Sequence, residues 1–159
     1  YQNHSGWAYQ RCRRARRSIS GTPILNGSGM TGTAGASRWG RGRSLQPILT
    51  CDTYDTAQHE AVPLVDAAAV LNDDGSLTIF AVNRDLARSA ELTLDLRSFD
   101  GLTLVEHQAL THEDVKAVNT EDDPFNVRPT AGPGGRVDGG RLTARIPALS
   151  WNAIRLTEA

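Results

Sequence analysis

Glu106, His107, His112, Glu113 and Asp114 bring two imidazoles and three carboxylates into nine residues, a set that could ligate zinc or relay a proton. The spacing works against it. His107 and His112 are an odd number apart, so on one strand they face opposite sides, and only a turn after Leu110 brings them together. The favoured reading is a strand end with solvated polar groups. Glu121-Asp122-Asp123 could bind calcium, but one acidic triplet lacks the alternating oxygen ligands of such loops, and a solvated turn before Pro124 is preferred. Trp151 offers a face for the apolar side of a sugar ring. Beside Ile154 and Leu156 it reads instead as core, or as a surface that docks on another domain. Asn83 and Arg84 follow an apolar strand and fall where the chain leaves a sheet. They bond to loop backbone, or else to a separate domain, in which case Arg84 has no partner within this chain.

Arg11 to Arg17 carries five arginines, and clustered guanidinium groups neutralise phosphates while Trp7 or Tyr9 stacks on bases. Three readings stand for this stretch: a nucleic-acid arm, which is disfavoured, a solvated tail, and a translation of the wrong reading frame. The abrupt change in composition that follows favours the third. Cys12 and Cys51 form no CxxC pair and read as free thiols in a reducing compartment, without a disulfide or a metal site.

The elements that must position these residues divide the chain in two. Of 159 residues, the first 44 hold eight arginines and no acid; the rest hold nine bases and all 18 acids. Residues 1–35 have few large apolar side chains and a Gly/Ser/Thr tract, so burial cannot offset the entropy of ordering and disorder is expected. No run approaches the 18 or so apolar residues of a membrane-spanning helix.

From Val62 onward, apolar runs recur at short intervals between turn residues, the pattern of an all-β antiparallel sandwich. Val62 to Leu71 reads as a strand buried on both faces. Asn72 to Gly75 is a hairpin turn with positive φ at Gly75, and Leu77 to Val82 is its partner strand. In Ala90 to Arg97, Ala90, Leu92, Leu94 and Leu96 face the core while Glu91, Thr93, Asp95 and Arg97 face water. Leu102–Leu110, Arg141–Ile146 and Trp151–Leu156 complete six strands, with Pro147 splitting the last two. Residues 111–140, with Pro124, Pro129, Pro133 and five glycines, form a long loop that crosses between sheets or covers an edge.

The strings SRWGRG at Ser37–Gly42, LQP at Leu45–Pro47, YDT at Tyr54–Thr56, TIFAVNR at Thr78–Arg84, Glu106-His107, Asn119-Thr120, LSWN at Leu149–Asn152 and IRL at Ile154–Leu156 are specific. In this order, over roughly residues 36–156, they resemble the end of a family 51 α-L-arabinofuranosidase. The resemblance implies a C-terminal jelly-roll or Greek-key sandwich, with residues 36–50 as the junction from a catalytic (β/α)₈ barrel and 51–159 as the sandwich. It implies retaining hydrolysis of terminal α-L-arabinofuranosides by two glutamates about 5 Å apart on that barrel. Neither glutamate is expected here, because no acid precedes Asp52 and a barrel needs roughly 200 residues. The chain is therefore expected to be inactive alone, with no catalytic, cofactor or metal residues. Its expected partner is the barrel, in a homo-oligomeric cytoplasmic parent with no membrane contact. The family's sandwich also borrows chain from near the enzyme's N-terminus, so an unpaired edge strand is expected. A free arabinoxylan-binding module is the rival. It needs two or three exposed aromatics in a row, and four of the nine aromatics lie in or before the junction.

Overall fold

A computed structural model describes residues 9–12, 39–99 and 101–159. Among them the strands are β1 (Tyr9–Cys12), β2 (Gly42–Leu45), β3 (Ile48–Thr50), β4 (Thr53–Tyr54), β5 (Val62–Pro63), β6 (Val65–Asn72) and β7 (Leu77–Asn83). β8 (Ala90–Asp95), β9 (Leu102–Thr111), β10 (Thr130–Ala131), β11 (Gly135–Asp138), β12 (Arg141–Ile146) and β13 (Ser150–Glu158) follow. A five-stranded sheet runs β11-β12-β8-β1-β3, and a six-stranded sheet runs β10-β9-β13-β7-β6-β2. From β7 onward the chain alternates between them: β8 joins the first sheet, β9 the second, β11 and β12 the first, and β13 returns between β7 and β9. That interleaving is the Greek-key return of an antiparallel sandwich.

The alternating pattern of β8 fixes its orientation. Leu92, Leu94 and, just past the strand, Leu96 are buried, with Leu142, Ala144 and Ile146 beside them from β12. They meet Val65, Ala69, Leu77, Ile79, Ala81, Ile154 and Leu156 of the six-stranded sheet in one core. Each fully buried Leu or Ile contributes about 1.5–3 kcal/mol of transfer free energy. The wet face of β8 carries Asp95, whose carboxylate is held by Arg97 Nε and Nη2 and by the Arg97 amide. Those bonds lower its pKa from the usual carboxylate range to about 2. A depressed folded-state pKa adds stability above the unfolded value, and the gain is lost as pH falls toward 2. Asp95→Asn should therefore lower the denaturation midpoint slightly at pH 6 and leave it unchanged near pH 2, and two urea titrations compare the two. Because the Arg97 side chain is largely in solvent, the effect is small.

The β6–β7 hairpin turns as the sequence predicts. Asn72 N–H donates to Ser76 O at 2.8 Å, Gly75 N–H to Asn72 O at 3.0 Å, and Gly75 has φ 81°. The expected strand buried on both faces from Val62 to Leu71 is corrected. It breaks at Leu64, and in β6 Val65 and Ala69 are buried while Asp66 and Ala68 are exposed. On that open side Asp66 pairs with Arg84 at 3.1 Å.

The long loop after β9 crosses from one sheet to the other. β10 pairs with β9 at one end, and β11 pairs with β12 at the other. Within residues 1–35, residues 9–12 are described as β1, which lies antiparallel to β8 and parallel to β3. Strand pairing rests on backbone N–H and C=O groups, so it needs no apolar pattern in the added segment. The β8 edge is consequently paired rather than open. The rest of residues 1–35 lies outside the described residues.

Candidate functional site

The structure disperses the acid and imidazole cluster. Glu106 and His107 are adjacent on β9 and point to opposite faces; Glu106 is half-buried and accepts from Gln108 Nε2 at 2.8 Å. His112 is beyond the strand end, where its Nδ1 accepts from the Asp114 amide at 3.0 Å. Asp114 in turn accepts from the Lys116 amide at 2.8 Å. Among the described residues no group of three or more His, Cys, Asp or Glu is placed to hold a metal ion.

His107 is not the solvated residue its position at a polar strand end suggests. It is 7% exposed, its Nδ1 accepts the Gly134 amide proton at 3.1 Å, and its Nε2 donates to Asn152 Oδ1 at 3.1 Å. That pairing puts the ring proton on Nε2. Asn152 passes the chain on to Ser150 Oγ at 2.9 Å, and Ser150 donates to Pro147 O at 2.7 Å. Gly132 lies across the imidazole so closely that a Cβ there would sit 2.6 Å from the ring. The long loop is thus stapled to the sandwich by a buried histidine.

Asn83 and Arg84 take the loop-backbone alternative. Asn83 Nδ2 donates to Arg88 O at 2.8 Å and Pro147 O at 2.7 Å, while its Oδ1 accepts from the Asp85 amide at 3.0 Å. Arg84 donates to Pro63 O at 3.0 Å and pairs with Asp66, so it has partners within this chain. Glu121, Asp122 and Asp123 are exposed around a turn that Thr120 closes onto the Asp123 amide at 3.0 Å. A shallow depression of about 300 Å³ on the wet face of the five-stranded sheet, lined by Arg136, Asp138, Gly139, Arg141 and Thr143, holds a single acid. Cys51 is a free thiol, donating to Val65 O at 3.3 Å. The side chains of Arg11 and Cys12, and all of residues 13–17, lie outside the described residues.

Of the two readings of Trp151, core or a surface residue, the structure takes the second and places it on the outer face of the six-stranded sheet. Trp151 pairs with Val82 and Leu110, and its ring stacks on Phe80 with centroids 5.6 Å apart and planes at 28°. Register puts Asp66, Glu106, Gln108 and Arg155 on the side away from Ile79, Ala81 and Ile154, and with these charged and polar groups stand Val70, Phe80, Val82, Leu110 and Trp151. The last five are half-buried, and none belongs to the core. A signal was present: Leu77–Val82 is apolar at every position except Thr78, the run of a strand whose two faces are both covered.

The SRWGRG motif ends on the same face. Trp39 is 5% exposed yet outside the core cluster. The Asn72 amide nitrogen donates to the carbonyls of Trp39 at 2.7 Å and Arg41 at 2.9 Å, and its oxygen faces the hydroxyls of Ser76 and Thr78. Gly42 closes the junction with φ 150°, pressed against Leu71 O.

Fold and faces together define a sandwich domain of two main sheets, one with a polar outer face and one whose outer face mixes Phe80 and Trp151 with Asp66 and Arg155. The chain belongs to the α-L-arabinofuranosidase C-terminal domain family, whose profile matches residues 33–150. An intracellular exo-α-(1→5)-L-arabinofuranosidase of Halalkalibacterium halodurans is 43% identical over 122 residues, which are 76% of this chain and 24% of that enzyme. A Bacillus subtilis enzyme of the same description is 41% identical with the same coverage. Among solved structures, a family 51 α-L-arabinofuranosidase from Bifidobacterium longum superposes with TM-score 0.71 at 30% identity, over 80% of this chain and 25% of its own. The chain spans about a quarter of the length of the curated relatives it matches.

Proposed function

We propose that this chain is the accessory sandwich of an intracellular α-L-arabinofuranosidase and has no hydrolytic activity of its own. The observation that supports this best is the fate of its acids. Retaining hydrolysis needs two carboxylates about 5 Å apart in one cleft. Here Glu106, Asp114, Asp74 and Asp95 instead bond to neighbouring side chains or backbone amides. In the parent enzyme the two catalytic glutamates belong to a (β/α)₈ barrel, which releases terminal α-L-arabinofuranosyl residues with retention, in a homo-oligomeric cytoplasmic protein that needs no cofactor. The division into 1–35, a junction at 36–50 and a sandwich at 51–159 is part of the same proposal. β2 and β3 tie the junction into both sheets.

The purified 159-residue chain should release no nitrophenol from the aryl α-L-arabinofuranoside. Activity that persists at constant specific value through further purification would overturn the proposal. Binding of the chain to arabinoxylan would favour the free-standing module instead.

A further inference from the structure

The edge strand of an open sheet has unpaired N–H and C=O groups, and it accepts another strand whose register and charges fit. β11 is such an edge: it closes one side of the five-stranded sheet and pairs only with β12 among the described residues. Its turn into β12 has two residues, Gly139 and Gly140, with φ 54° and 70°, so Asp138 and Arg141 close the hairpin as a hydrogen-bonded pair. The alternation of an antiparallel ladder then turns the Val137 N–H and C=O away from β12, toward the open side.

The residues along this edge fit a second copy of themselves. Residues 134–140 read Gly-Gly-Arg-Val-Asp-Gly-Gly, symmetric about Val137 except that a base on one side answers an acid on the other. Two β11 strands set antiparallel across a two-fold axis at Val137 place Arg136 of each copy opposite Asp138 of the other, with glycine opposite glycine beyond them. Registers centred on Arg136 or on Asp138 put like charges opposite each other, and so does an in-register parallel pairing. The charges that guard the edge against other strands thus admit this arrangement. Arg136 and Asp138 are exposed, and among the described residues neither has an ion-pair partner within the chain. Val137, half-buried against the core, would meet its own counterpart at the axis.

We infer that β11 is a self-pairing edge, through which two copies of this chain join their five-stranded sheets into one continuous sheet held by two reciprocal Arg136–Asp138 pairs. The inference goes beyond the accessory-domain reading and does not depend on it, because it is a property of the strand and is measured without an arabinofuranoside. Four residues a side make a small contact, so the dimer is weak, half-formed at roughly 0.1–1 mM chain in low salt.

The test is sedimentation equilibrium of the purified 159-residue chain at low ionic strength, up to about 2 mM. The unaltered chain should show a monomer–dimer equilibrium. Arg136→Asp sets acid against acid across the axis and should weaken it by about tenfold. Adding Asp138→Arg to the same chain restores opposite charges, and the association should return to within about threefold of the unaltered chain. Both sites are exposed, and thermal melting checks that each variant folds. Should Arg136→Asp fail to melt cooperatively, a mixture of Arg136→Cys and Asp138→Cys chains, both also carrying Cys12→Ser and Cys51→Ser, is read in its place. Opposed residues of that register lie within disulfide reach, so under mild oxidation the mixture should form a covalent dimer faster than either variant alone. A chain that stays monomeric throughout, a dimer indifferent to Arg136→Asp, or a weakened dimer that Asp138→Arg does not restore would each overturn the inference. So would a cysteine mixture no faster than its components.

Discussion

Asn83→Ala should lower the unfolding free energy by about 3–4 kcal/mol, a large share of the roughly 5–15 kcal/mol that holds a domain of this size. Asn83 is completely buried at the end of β7, between two of the connections that carry the chain from sheet to sheet. Its amide donates to Arg88 O in the passage from β7 to β8 and to Pro147 O in the passage from β12 to β13. Its oxygen accepts from the Asp85 amide, and Leu149 N–H bonds Asp85 O directly, so one side chain organises both crossings. Alanine leaves these groups buried without partners, and each such loss costs about 1–3 kcal/mol before water re-enters. Urea denaturation followed by circular dichroism measures the change. A loss below about 1 kcal/mol would mean that water replaces the amide, and the stapling role would be wrong.

The second large effect is expected at Gly42. A Cβ there would sit 2.2 Å from Leu71 O and 2.7 Å from Asn72 Cα, both backbone atoms that cannot swing away, at a φ of 150° that L residues rarely adopt. Relief requires β2 to separate from β6, which also withdraws the Trp39 and Arg41 carbonyls from Asn72. Strain and overpacking of this kind cost roughly 1–3 kcal/mol each, so Gly42→Ala should lose about 3 kcal/mol or release the strand. Either outcome exposes the junction. Trypsin should then cut at Arg41 and Arg43 faster than in the unaltered chain, and Trp39 emission should shift to longer wavelength. Unchanged cleavage and unchanged emission would show that the junction accommodates a side chain, and the close seating of Gly42 on Leu71 O would not constrain it.

How much of the candidate site was legible follows residue by residue. Trp151 was correctly linked to apolar surroundings, but its direction depended on registry with β7 and β9, which no local pattern carries. His107 was grouped with His112 and the acids as solvated polar groups of a strand end. Its partners Gly134 and Asn152 are 27 and 45 residues away, and only the folded sandwich brings them to it. Asn72 was read as a turn residue, which it is. Its amide also clasps Trp39 and Arg41, some thirty residues earlier, a role that depends on β2 lying along β6.

The sequence by itself determined the sandwich. Period-two alternation in β8, the β-branched and aromatic residues of β7, and glycine at the β6–β7 turn are choices each segment makes from its own residues, and they agree with one another. It also determined the family, through motifs kept in order along the chain. The tertiary structure alone decided the short strands β1 to β5, β10 and β11. Two to four residues carry too little pattern to announce a strand, and several exist because a longer neighbour offers unpaired N–H and C=O groups. It alone decided which apolar residues close the core and which face outward. A strand presents both sides equally until another sheet covers one of them, and here the five-stranded sheet packs on Ile79 and Ile154, leaving Phe80 and Trp151 outside.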